Sequence, residues 1–125
     1  MKKTRYFILN VFLPLLFGTT IYVCFRDNAL FLTWLPQKVL MPPVILEWAA
    51  SKSWFVYNMP DALWMYAFVS CLLLIWWQQR RIGMFYGLGA LSAACMSELL
   101  QSYGWQAGTY DLLDIYYYVI ATVAV

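Results

Sequence analysis

The chain has no histidine and only six carboxylates, Asp27, Glu47, Asp61, Glu98, Asp111 and Asp114, so acid, base or cation-binding chemistry falls to very few residues. Two spacings are informative. Glu98-Leu99-Leu100-Gln101 sets an acid and an amide one turn apart on one helical face. Asp111-Leu112-Leu113-Asp114 has the spacing of a capping box at a helix start. Without histidine, a general base working near neutrality would have to be a carboxylate adapted to that range, and Glu98 is the candidate. Cys24, Cys71 and Cys95 lack CxxC spacing and lie in apolar runs, so they read as small core residues rather than zinc ligands or nucleophiles. Gly83, Gly87 and Gly89 make no phosphate-cradling loop and fit close helix packing better.

Composition dictates the elements that must position these residues. Of 125 residues, 64% are hydrophobic and 11% charged, where a soluble domain carries roughly 25% charged residues. A membrane-spanning helix needs about 20 predominantly apolar residues, and runs at about 6–25, 61–79 and 82–102 qualify. A fourth, at 110–125, has 16 residues and reaches about 24 Å as a helix. The expected fold is therefore all-α: a polytopic integral membrane protein, one domain over 1–125, with four transmembrane helices and an outer interfacial loop at 27–59. No linker, repeat or low-complexity tract divides it. The net charge of +2 is small and scattered, which argues against nucleic acid as a partner. No motif calls for a cofactor.

Lys2, Lys3 and Arg5 precede the first helix and Arg80-Arg81 fill the turn between the second and third, so the positive-inside rule places both in the cytoplasm. The first helix begins like a signal peptide, but no small-x-small cleavage site follows, and it is read as retained. Asn10, Pro14 and Gly18 predict an irregular helix, because Pro14 removes a backbone hydrogen bond. In the loop, Trp34, Trp48 and Trp54 suit the interfacial aromatic belt, while Pro36 and Pro42-Pro43 break it into short in-plane pieces. A re-entrant segment is the alternative.

On this topology Asp61, Glu98, Asp111 and Asp114 converge on the outer side. Gly83, Gly87, Ala90, Ala94, Glu98 and Gln101 follow at spacings of three and four, a stripe small and then polar that predicts a face turned into the bundle. A structural reading competes with a functional one. Asn58 would cap the second helix, Pro60 and Asp61 suit its first turn, and Asp111 with Asp114 would cap the fourth. Glu98 differs, because a helix C-terminus disfavours negative charge. It would be protonated and donate a hydrogen bond, or pair with Arg26, or join its neighbours in binding a cation, whether a hard metal ion or part of a substrate. Ionisable residues within a membrane span point to function by default.

From about Asn58 to Ala121 the chain resembles the VanZ-like membrane proteins, a family named for a teicoplanin-resistance protein. The resemblance lies in Glu98-x-x-Gln101 at one helix end, Asp111 and Asp114 opening the last helix, and Asp61 starting another. Met65 stands where that family has a histidine, Gly108 where an arginine is usual and Tyr118 where an asparagine is usual. The resemblance implies a bacterial cytoplasmic-membrane protein of the cell envelope, connected with glycopeptides, lipids or lipid-linked precursors.

Two function classes follow. In the first, Asp61, Glu98, Gln101, Asp111 and Asp114 contact a lipid, glycopeptide or lipid-linked precursor, with hydrolysis or group transfer as the bolder variant. In the second, the chain is an accessory or immunity-type subunit whose polar residues hold helices together or bind another membrane protein.

Overall fold

The computed structural model describes residues 2–25, 45, 47–48, 51–106 and 110–125. Most of the expected interfacial loop, with Arg26, Trp34 and its prolines, lies outside the described residues, as does Gly108. The described elements are all helical.

Helix α1 runs Lys3–Phe25 and contains a π-helical turn at Ile8–Phe12. Pro14 supplies no N–H to the carbonyls behind it. Just before it the ladder shifts, and Leu13 N–H donates to the Ile8 carbonyl, one residue further back than in an α-helix. Asn10 sits in this turn. Its Nδ2 donates to the Tyr6 carbonyl at 3.2 Å, and its Oδ1 accepts from the Tyr66 hydroxyl at 2.6 Å. The irregularity expected from Asn10 and Pro14 is present.

A short helix α2, Ser53–Tyr57, leads through Asn58 into α3, Met59–Ile75. Asn58 keeps near-helical angles, and Ala62 N–H donates to its carbonyl at 3.1 Å, so Ser53–Ile75 reads as one apolar stretch of 23 residues. The expected span of 61–79 is thus displaced toward the N-terminus. Pro60 falls in the first turn of α3, where its missing N–H has no intrahelical partner to lose. At the other end Trp76 leaves the helical region at φ −94°, ψ 35°, and Gln79 N–H closes a turn on the Trp76 carbonyl at 2.8 Å. Arg80 and Arg81, expected in that turn, instead open α4, Arg80–Ser102.

Helix α4 stops at Gly104, whose φ of +71° is the left-handed conformation glycine takes without a Cβ penalty. Gly104 N–H donates to the Gln101 carbonyl and Trp105 N–H to the Leu100 carbonyl, both at 3.0 Å, the two bonds of a Schellman stop. The last helix, α5, is Leu112–Val123, 12 residues or about 18 Å. It is shorter than the expected 110–125.

Helix α3 is the spine, packing against every other described helix, while α4 and α5 also pack on each other. Met65 and Val69 of α3 meet Ala121 of α5, with Ala94 of α4 and Tyr118 of α5 alongside. The stripe on α4 does turn inward: Gly83, Gly87 and Glu98 are its buried residues. A Cβ at Gly83 would come within 2.9 Å of Leu73, and one at Gly87 within 3.1 Å of Val69, so both glycines set the α3–α4 approach. Gly18 does the same for α1, beneath the Trp64 indole.

Ring contacts fix the ends. Tyr6 meets Trp77 at 5.3 Å, putting the start of α1 beside the α3–α4 turn, and Phe25 meets Phe55 at 6.3 Å at the opposite end. Lys3, Arg5, Arg80 and Arg81 therefore share one end, and Glu98, Asp111 and Asp114 the other. Three helices are long and apolar enough to cross a membrane: Lys3–Phe25, Ser53–Ile75 and Arg80–Ser102. Their outward faces carry exposed rows such as Phe12, Leu16 and Phe17 on α1 and Met84, Phe85 and Leu88 on α4. Water would not tolerate apolar patches of this extent without a partner.

Candidate functional site

Asn58 gathers the acidic end. Only 2% exposed, it donates from Nδ2 to Asp114 Oδ1 at 2.6 Å and to Asp111 Oδ2 at 3.3 Å. Its expected role as side-chain cap of α3 is not realised. The physical reason is local: a cap needs a non-helical residue whose side-chain oxygen accepts from the N–H two or three residues on, whereas Asn58 keeps near-helical angles and Pro60, two residues on, has no N–H.

The α5 start is capped largely as its spacing predicts. Asp111 Oδ1 accepts from Leu113 N–H at 2.9 Å. In a complete capping box the fourth residue would reach back to the first residue's N–H. Asp114 turns to Asn58 instead, and the Asp111 N–H points to Glu98 Oε2 of α4 at 3.5 Å, a long contact. Glu98 is 6% exposed and so completes from another helix the box that α5 leaves open. The positive end of the α5 dipole lies at the same place. Both partly offset the cost of a carboxylate at this helix end, by a route the sequence did not reveal. Of the alternatives, Arg26 lies outside the described residues. Among the described residues, no group of three or more His, Cys, Asp or Glu side chains is placed to hold a metal ion.

Glu98, Asp111 and Asp114 are thus brought together directly. Gln101 is half-buried one turn further on, and its carbonyl belongs to the Schellman stop. Its side chain makes no hydrogen bond to the cluster among the described residues. Asp61 stands one turn along α3 from Asn58 and lines a groove of about 930 Å³.

That groove exists because α1 and α4 both lie against α3 without closing on one another. Leu15 forms one wall, Trp64 and Ala67 the floor, and Gly89 and Ala93 the other wall. Small residues leave the space open: a Cβ built on Gly89 would meet nothing within 4 Å. Apart from Asp61 and the hydroxyls of Tyr86 and Tyr118, the lining is overwhelmingly apolar. Tyr118 joins the two regions, because it lines the groove and lies within electrostatic reach of Asp61, Asp114 and Glu98.

No protein-family model matches this chain, and no curated protein or solved structure does either. What the site does must be inferred from its geometry. Two participants escaped the sequence reading, Asn58 as a tie between helices and Tyr118 as a junction. Spacing offered a signal for each: Asn58 precedes Asp61 by three residues and Tyr118 follows Asp114 by four, the separations that share a helical face.

Chemically, the acidic end accepts hydrogen bonds and attracts positive charge, and the adjoining groove accepts hydrocarbon. The combination suits an amphipathic molecule.

Proposed function

We propose that this chain is a multi-pass bacterial cytoplasmic-membrane protein that holds a lipid, glycopeptide or lipid-linked envelope precursor. The apolar part lies in the groove and the polar part at the acidic end, with Asp61, Glu98, Gln101, Asp111 and Asp114 around it. The observation that carries this is the continuity of the two regions through Asp61 and Tyr118. Orientation follows from the basic end: Lys2, Lys3, Arg5, Arg80 and Arg81 face the cytoplasm by the positive-inside rule, which puts the carboxylates outside and has α5, the fourth helix of the bundle, enter the membrane from that side. The pattern Asp61, Glu98-x-x-Gln101, Asp111 and Asp114 supports a VanZ-like assignment within this reading. No catalytic step is assigned.

The test is native mass spectrometry of the gently purified chain beside Ala93→Phe, which puts a ring into the groove from an exposed position. A lipid-sized adduct on the wild type and its loss from the variant are expected. The same adduct on both would refute the groove as its seat.

A second reading is favoured by Asn58. Its bonds to Asp111 and Asp114 are what an accessory subunit needs to lock its helices, and a protein partner in place of lipid would then occupy the apolar faces.

A further inference from the structure

The two long helices that start at the basic end both start against their own dipoles. A helix N-terminus is its positive end and favours acidic neighbours. Yet α1 opens with Lys3 and Arg5 and α4 with Arg80 and Arg81, neither has an acidic residue in its first turn, and neither is closed by a side-chain cap. Lys2 adds a further charge just ahead of α1. The positive-inside rule accounts for cations on this side of the membrane, but not for their convergence. Folding brings them together: the Tyr6 ring meets Trp77 at 5.3 Å, which sets Arg5, the residue before Tyr6, beside the turn that leads into Arg80.

Among the described residues no carboxylate stands at this end. Asp61 lies near the middle of the Ser53–Ile75 span, Glu98, Asp111 and Asp114 gather beyond it, and Glu47 precedes Trp48, which packs on Phe55 at the far end. All five cations are exposed, and none makes a side-chain hydrogen bond or ion pair among the described residues. Their depth is also defined. Lys3 and Arg80 are the first residues of two spans, and just inside them Trp76 stacks on Tyr86 at 5.8 Å. Trp and Tyr gather at the level of lipid head groups, so the cations stand where phosphates lie. Arginine suits a phosphate, because its planar fork donates to two oxygens at once, and one bound anion would relieve the repulsion among the cations and the two dipole ends together.

We infer that the basic end is a binding site for an anionic phospholipid of the leaflet on that side, its phosphate held between Arg5 of α1 and Arg80 and Arg81 of α4. Its chains lie on the apolar faces that begin there with exposed Phe7 and Phe85. The inference rests on the chain spanning a membrane and not on the groove, since none of the residues that hold the phosphate lines it.

The purified full-length chain is loaded from mixed micelles holding equal amounts of phosphatidylglycerol and phosphatidylethanolamine with identical acyl chains, and native mass spectrometry reads the lipid retained. Wild type should favour phosphatidylglycerol on the order of fivefold, the effect of about one basic residue at a lipid surface. Arg5→Gln, and Arg80→Gln combined with Arg81→Gln, should each bring the ratio toward one. Lys52→Gln, a loss of charge at the other end, should leave it as in wild type. A wild-type ratio near one would overturn the inference, as would a ratio kept in either arginine variant. An equal fall in Lys52→Gln would also overturn it, because net charge alone would then explain the preference. Displacement of the lipid by an equal concentration of inorganic phosphate would overturn it in favour of a soluble anion. Should the arginine variants fail to fold, wild type decides alone: raising the salt from about 0.1 M to about 1 M shortens the screening length from about 10 Å to about 3 Å and should abolish the preference, and a preference that survives would overturn the inference.

Discussion

The side-chain amide of Asn58 stands 2.6 Å from Asp114 Oδ1, although 56 residues separate them in the chain. This one nitrogen links the start of α3 to the start of α5, and the neighbouring Asp111 N–H carries the connection to Glu98 and the end of α4. Three helix ends are thereby fixed relative to one another where the carboxylates accumulate.

Replacing Asn58 by Ala leaves Asp111 and Asp114 close together without their shared donor. The expected cost is about 1.5–3 kcal/mol, the range for hydrogen bonds to charged groups. Asn58→Asp should cost more, because it adds a like charge to the cluster. Unfolding titrations in mixed detergent micelles would read both, and a loss under about 0.5 kcal/mol, the size of an ordinary surface change, would remove Asn58 from its proposed place as the tie.

Glu98 can be dissected by shape and charge. Glu98→Gln keeps an oxygen for the Asp111 N–H and should change stability by less than about 0.5 kcal/mol, whereas Glu98→Leu leaves that donor unpaired and should cost about 1–3 kcal/mol. Equal losses in the two variants, measured in the same titration, would show that the negative charge rather than the hydrogen bond holds the site together.

Glycines on α1 and α4 should respond oppositely to an added side chain. A Cβ at Gly18 would sit 2.9 Å from the Trp64 ring and 3.1 Å from the Pro60 carbonyl, so Gly18→Val should destabilise by about 1–3 kcal/mol through overpacking. Gly89 faces open space, and Gly89→Ala should be neutral or slightly stabilising, because alanine is the better helix former. Thermal unfolding of the pair, followed by circular dichroism, separates the outcomes.

Orientation is read by labelling. Ser53, Gln79 and Tyr103 are all exposed, and Cys24, Cys71 and Cys95 are free thiols that must first be replaced. Single cysteines at Ser53 and Tyr103 should react with an impermeant maleimide on intact cells, and one at Gln79 only after permeabilisation. Labelling of Gln79 in intact cells would reverse the assignment of the two faces.

Some of this could be read directly from residue order. The inward face of α4 was legible because glycine, alanine and then Glu98 repeat at helical spacing, and nothing but the helix period is needed to see it. The α5 cap was legible because its donor lies two residues from Asp111. Asn58 was not, since the local pattern Asn-Met-Pro-Asp supports a cap equally well and its true partners are brought near only by tertiary packing. The end of α3 was misplaced because Trp76 and Trp77 are as apolar as the helix before them, and hydropathy does not register a change of backbone angle. The groove was invisible for a related reason: it is a gap between α1 and α4, and a gap leaves no signature in either helix alone.

The Asn10 amide shows how a polar group can wait for its partner during synthesis. Helix α1 leaves the ribosome before α3 and, among the described helices, packs chiefly on α2 and α3, so it must exist for a time without the Tyr66 hydroxyl. Because the Tyr6 carbonyl belongs to the same helix, Asn10 can keep that bond in the interval, leaving its oxygen and one N–H rather than the whole amide without a partner in an apolar surrounding. When Tyr66 arrives it supplies the missing donor. The bond then favours the register that aligns Asn10 with Tyr66, so an early segment carries in one side chain an instruction for docking a later one.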